Sequence, residues 1–326
     1  VKTRITEMLG IDFPVIAAPM FLVSNPELVA AVSEAGGLGT FPALNYRKPE
    51  QFEEGLKVVN SLTDKPYGVN IITNKSNIYQ EQHLEICIRN KVPVIITSLG
   101  SPRQVIEEAH KIGTKVFCDV TNLDYAKKVE SLGADAVVAV GYGAGGHAGK
   151  IVGSVLVPWL VENLKIPVIA AGGIADGKTL LSALALGAEA GYMGTRFIAC
   201  NETAVNEEYK KSILESDPED IVFTARVTGA HANFINTPYL ERLGTELGFF
   251  ERFWTRFSFT RKWFKMYKGY RAMKGMGESA STGKKKAWKD VWSAGQTVGL
   301  IKDTKPAAEI LAEVVREYSE AKKKLP

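Results

Sequence analysis

The sequence predicts an α/β protein: a (β/α)8 (TIM) barrel with a mostly helical C-terminal cap. Three observations carry this. Short apolar, β-branched runs recur about every 20 to 30 residues, each followed by a helix-periodic stretch. Eight such runs occur by residue 194, which suits a barrel better than the roughly five or six strands of a doubly wound open sheet. The rhythm then stops after Ser216.

The runs are Pro14–Ala18, Leu38–Phe41, Tyr67–Ile72, Pro93–Thr97, Lys115–Val120, Asp135–Val140, Pro167–Ala171 and Ala190–Gly194. Continuous apolar runs of this kind belong to strands buried on both faces, as in parallel sheets. The helices between them announce their starts. Asn25-Pro26-Glu27 and Lys48-Pro49-Glu50 put proline in a first helical turn, and Ser101-Pro102 and Asp176-Gly177 look like caps. The last helix of the eight units is expected at about Glu202–Glu215. Residues 1–220 are therefore read as the barrel and 221–289 as a helical cap. Residues 290–326 form a segment whose helix, Pro306–Lys324, returns to the barrel.

Composition narrows the function. Apolar residues make up 45% and charged residues 23%, which excludes a disordered or collagen-like chain. A net charge of +4 is too small to predict a nucleic-acid partner. The three cysteines (Cys87, Cys118, Cys200) show no C-x-x-C spacing and the four histidines no H-E-x-x-H pair, so neither a disulfide scaffold nor a metal site is expected. No apolar run of about 18 residues predicts a membrane span, and the first residues lack a signal-peptide core, so a cytoplasmic protein is expected.

The most informative loop follows the sixth run: Gly141-Tyr142-Gly143-Ala144-Gly145-Gly146-His147-Ala148-Gly149-Lys150. It contains G-x-G-x-x-G, but the dinucleotide motif must open directly into a helix, and here the next helix starts only near Ser154. The phosphate-binding P-loop pattern fails at Ala144 and Ile151. Such a glycine-rich loop brings backbone close to a flat ligand, and barrel loops after strands line the active face. His147 sits in it, and an imidazole that titrates near neutrality suits proton transfer. Gly172-Gly173 and Gly194-Thr195 end the seventh and eighth strands, where barrels often bind phosphate. Met20 and Asn70 end the first and third strands and could touch a planar ring.

His83 and His110 lie within helical patterns and are expected to be exposed or partly packed. His231 is a weaker candidate that could face the cap side of the site. The run Phe249–Gly275 interleaves aromatic and basic residues at helical spacing. It is read as an amphipathic helix with a packed aromatic face, leaving room for an apolar substrate tunnel or a homodimer contact.

Taken together, Pro14–Met20, Ala35–Gly39, Gly68-Val69-Asn70, Gly145–Gly149, Ala171–Gly177, Leu184–Gly187, Met193–Phe197 and Trp292–Ile301 resemble the nitronate monooxygenase (2-nitropropane dioxygenase) family. Flavin-type enoyl-acyl-carrier-protein reductases share most of the pattern. The resemblance implies FMN at the strand C-termini. Its phosphate would lie on Gly172, Gly173, Gly194 and Thr195, and its ring near Ala18, Pro19, Met20, Phe21, Asn70, Gly145 and Gly146. His147 matches the family's catalytic histidine. Many relatives carry Glu where this chain has Gly143, and some a basic residue where it has Asp119. The implied reaction is oxidation of a nitroalkane or nitronate by oxygen to a carbonyl compound and nitrite. Two alternatives stand beside it: NAD(P)H-dependent reduction of an apolar quinone or enoyl thioester, and a flavin-free phosphate-binding barrel.

Overall fold

The computed structural model describes residues 1–74, 77–245 and 291–325. Eight parallel strands form the barrel: β1 (Val15–Ala17), β2 (Gly39–Pro42), β3 (Tyr67–Ile72), β4 (Val94–Ser98), β5 (Lys115–Val120), β6 (Ala136–Val140), β8 (Val168–Ala171) and β9 (Ala190–Met193). The two-residue strand β7 (Gly146–His147) lies outside it. Each of the eight expected runs overlaps one barrel strand, with β2 and β4 reaching one residue further. The sheet runs β1-β9-β8-β6-β5-β4-β3-β2. An Ile16–Leu38 bridge closes it, with Leu38 N–H donating to the Val15 carbonyl (3.0 Å) and Ala17 N–H to the Leu38 carbonyl (2.9 Å).

Side-chain alternation sorts the strands into two layers. In β5, Val116, Cys118 and Val120 face the helices, while Phe117 fills the barrel with Val94, Ile96, Val138 and Ile169. The floor is closed by α1 (Arg4–Leu9), whose Ile5 and Leu9 join the interior cluster. The sequence reading did not include that helix.

The ring of helices comprises α2 (Pro26–Glu34), α3 (Pro49–Leu62), α4 (Gln80–Arg89), α5 (Arg103–His110), α6 (Leu123–Ser131), α7 (Gly153–Asn163) and α8 (Gly177–Ala185). The Asn25 side chain accepts the Leu28 N–H, and Asp176 and Thr179 form a reciprocal capping box. Before α5, Pro102 takes the cap position without a side-chain bond, so Ser101 does not cap as expected. After β9 the chain makes only a short turn of helix, α9 (Thr195–Ile198), and then α10 (Glu207–Glu215). The place between α8 and α2 is filled by the C-terminal helix, Ala307–Lys323, which packs on both. The expected helix at Glu202–Glu215 is thus present as α10, but a segment about a hundred residues later completes the ring.

The described start of the cap, residues 221–245, holds an antiparallel pair, β10 (Ile221–Thr224) and β11 (Ala232–Ile235), and one short helix, α11 (Pro238–Leu243). Neither strand was expected from the sequence. The rest of the expected cap, including the run Phe249–Gly275, lies outside the described residues. Among the described residues no helix is long and apolar enough to cross a membrane, and no cluster of His, Cys, Asp and Glu is placed to hold a metal ion.

Candidate active site

The loop after β6 rises over the strand C-termini and is fixed from above by the cap. Its residues Gly146–His147 form β7, which pairs antiparallel with β11 in the register His147–Ala232 and Gly146–Asn233. Asn233, fully buried, donates from Nδ2 to the Tyr142 carbonyl (2.6 Å) and the Ala144 carbonyl (2.8 Å). The Tyr142 ring packs on Phe223 of β10, which also stacks on His231 (centroids 4.9 Å apart in each pair). His231 is thus a stacking partner of the β10 strand.

His147 holds an Nε2 contact of 3.2 Å to the Thr228 hydroxyl. With the hydroxyl proton on its shorter contact, the Ala230 carbonyl (3.0 Å), the Thr228 oxygen accepts from His147. That arrangement puts the imidazole proton on Nε2 and leaves Nδ1 as the acceptor. His147 keeps an exposed face, but the loop and hairpin crowded around the rest of the ring desolvate it and lower its pKa from the ordinary value of about 6.5, which favours the neutral base.

Beside this loop the ends of β8 and β9 lie next to each other in the sheet, Ala171 opposite Tyr192. Gly172 and Gly173 both take left-handed φ angles (96° and 80°). A Cβ on Gly172 would approach the Ala144 N to 2.5 Å, whereas a Cβ on Gly173 would meet open space. A cleft of about 240 Å³ opens here, lined by Tyr142, Gly143, Gly172, Gly173, Thr179 and Gln296 among others. Gly194 lies against Ala18 and Met20, joining the ends of β1 and β9. Thr195 is buried, and its hydroxyl accepts the Gly295 N–H (2.9 Å).

A family profile described as nitronate monooxygenase matches residues 2–317. The chain belongs to the nitronate monooxygenase family. It is 34% identical to a probable nitronate monooxygenase of Staphylococcus aureus, over 74% of this chain and 80% of that protein. Among solved structures it is similar to FabK from Thermotoga maritima, with a TM-score of 0.85, 34% identity and 99% and 98% of the two chains covered. It is also similar to a nitroalkane oxidase from Streptomyces ansochromogenes, with a TM-score of 0.82, 26% identity and 99% of each chain covered. The chain is an oxidoreductase by family.

Within this nitronate monooxygenase fold the expected site residues collect at one end of the barrel. Ala18, Pro19, Met20 and Phe21 follow β1, Asn70 lies near the end of β3, Gly145, Gly146 and His147 follow β6, and the two glycine turns follow β8 and β9. Two of them have additional roles. Gly145 faces the C-terminal segment, where a Cβ would come within 2.9 Å of the Gly295 N, and Thr195 holds the same segment. Thr228, Asn233 and Gln296 were missed as site residues. Their signal is tertiary: each reaches the site from a segment more than 80 residues beyond the loop that it contacts. His83 also corrects the sequence reading. It is fully buried between Phe52 (5.0 Å) and Tyr79 (5.8 Å), with no hydrogen bond to either ring nitrogen. His110 is exposed and bonds Asp135 (2.8 Å), as a surface helix residue does.

Proposed function

We infer that this chain is an FMN-dependent nitronate monooxygenase, oxidising nitroalkanes or alkyl nitronates with oxygen to carbonyl compounds and nitrite. The observation that carries the reading is His147: a neutral imidazole with its tautomer held by Thr228, on the glycine loop at the strand C-termini. The residues present suit the cofactor. Gly173 opens onto the cleft with nothing in the way and Gly172 packs on Ala144 beside it, so their backbone, with Gly194 and Thr195, would hold the phosphate. Ala18, Pro19, Met20, Phe21, Asn70, Gly145 and Gly146 would border the ring. When bound, FMN supplies the redox chemistry and passes electrons to oxygen.

The protein supplies the proton chemistry. A nitroalkane carbon is acidic, and Nδ1 of His147 is the nitrogen free to take its proton. Thr228 holds the other nitrogen protonated, so the basic one stays available to the substrate. Once protonated, the imidazolium stabilises the nitronate anion beside it. The test is a visible spectrum of the purified protein, then aerobic addition of a nitroalkane. A yellow protein that forms nitrite supports the reading, and a protein that stays colourless with added FMN overturns it.

A second reading has its own support. Phe21 and Leu22 after β1, Ile78 after β3 and Leu99 after β4 are exposed apolar side chains in loops at the strand C-termini. Such a rim suits an apolar enoyl thioester or quinone, reduced at the expense of NAD(P)H. Anaerobic mixing with NADPH separates the two: rapid bleaching of the flavin favours the reductase, and indifference the monooxygenase.

A further inference from the structure

At the C-terminal end of the barrel interior, three strands place polar side chains in one hydrogen-bonded row. Asn70 of β3 donates from Nδ2 to the Ile96 carbonyl (3.1 Å) and to Ser98 Oγ of β4 (2.7 Å). Ser98 donates in turn to Oδ2 of Asp119 of β5 (2.5 Å). The alternation of β5 turns Asp119 inward, since Phe117 is interior while Cys118 faces the helices. The row has a fixed direction. The Ile96 carbonyl requires an N–H from Asn70, which sets the amide. Ser98 accepts from Asn70 and so spends its own proton on Oδ2.

Oδ2 is therefore an acceptor, and a proton on the carboxyl belongs on Oδ1. Oδ1 is shut off from solvent and has no partner, and the hydroxyl of Tyr192, on β9, is in the same condition. Asp119 and Tyr192 feel each other electrostatically. A buried polar atom without a partner costs free energy, and two such groups in one interior point to a ligand that completes them. His147 belongs to the loop above, and the proton chemistry assigned to it uses neither group.

We propose that Asp119, when protonated, donates a hydrogen bond from Oδ1 to the polar edge of the ring bound in the reaction site, and that the Tyr192 hydroxyl is a second donor. Ser98 and Asn70 are positioning residues that hold the carboxyl plane. The inference rests on the flavin reading above and adds the ring's contact to it. The electrostatics agree. Burial raises the Asp119 carboxyl to about 6, against the lowering effect of the Ser98 hydrogen bond. The titratable groups coupled to it are Cys118, Tyr125 and Tyr192, all pushed up by burial and uncharged in this range. Among the described residues no cation pairs with it.

The experiment is a pH titration of the visible spectrum of the flavin-loaded protein between pH 5 and 8, for the parent and for Asp119→Asn and Ser98→Ala. The expected result is a spectral transition in the parent with a midpoint of about 6, absent from Asp119→Asn. Ser98→Ala removes the donor that favours the charged carboxylate. Its midpoint should rise by roughly one to two pH units, the size of one hydrogen bond to a charged group. A histidine transition from His147 would persist in both variants and is thereby told apart. A parent and Asp119→Asn with the same transition overturn the inference and leave the flavin reading standing. Should Asp119→Asn fail to hold flavin, an unshifted midpoint in Ser98→Ala overturns it equally. A protein that takes up no flavin removes both.

Discussion

At the residue scale, the site depends on where protons sit. His147→Gln should lower kcat by about 10²- to 10⁴-fold, the usual worth of a positioned general base, with flavin content unchanged. Equal turnover in parent and variant would remove the imidazole from the mechanism. Because desolvation lowers its pKa, the acid limb of kcat/KM should lie below pH 6.5, with activity flat through neutrality. Thr228→Val should lower kcat with little change in KM, since the ring then loses the bond that fixes its tautomer. His83 makes a different prediction. Its folded-state pKa is lowered to about 4 by burial, against about 6.5 in the unfolded chain. The folded state binds fewer protons, so stability is complete above pH 6.5 and declines as pH falls toward 4. The slope from this one group is at most about 1.4 kcal/mol per pH unit. Urea unfolding at pH 7 and pH 4.5 measures it, and His83→Phe should flatten the difference. The sequence shows His83 only as a histidine at a helical position. Its burial between Phe52 and Tyr79 depends on how α3 packs on α4, which no local pattern states.

At the scale of elements, the same contacts that shape the site attach the C-terminal segment. Arg196, almost fully buried, pairs with Asp303 (2.7 Å), and Glu202 accepts the Ala307 N–H at the start of the C-terminal helix (3.0 Å). Tyr209 of α10 stacks on Trp292 and donates to the Ser293 carbonyl (2.6 Å). Thr195 completes this attachment. Thr195→Val keeps its shape but leaves the buried Gly295 N–H without an acceptor, at a cost of about 1–3 kcal/mol. The variant should melt at lower temperature and purify with less flavin, as the ratio of visible to ultraviolet absorbance will report. Full flavin occupancy would count against Thr195 in the phosphate site. Gly177 lets α8 and the C-terminal helix approach closely, since a Cβ would fall 2.1 Å from the Tyr318 N. Gly177→Ala should therefore cost about 1–3 kcal/mol, read by denaturant unfolding.

For the whole molecule, the C-terminal helix replaces the eighth outer helix of the barrel. Ala307, Ile310, Leu311 and Val314 are buried between α2 and α8, so the barrel wall is incomplete without them. A chain ending at Lys305 should lose cooperative thermal unfolding, followed by circular dichroism, whereas a surface change such as Arg316→Ala should leave the melt unchanged. The sequence by itself was enough for the strand count, the parallel barrel, the glycine loop with His147 and the paired glycine turns. Those features are written locally, in apolar runs, in turn residues and in their order along the chain. Tertiary structure decided the rest. Which helix closes the ring, how β11 seizes the loop at Gly146–His147, and how Asn70, Ser98 and Asp119 form one row depend on sheet register and on contacts between distant segments. Asp119 was visible in the sequence as an acidic residue at a strand end, where some relatives of the family it resembles carry a basic one. Its missing partner appears only when three strands bring their inward faces to the same depth, because a hydrogen bond between strands is a property of their pairing and not of any one of them.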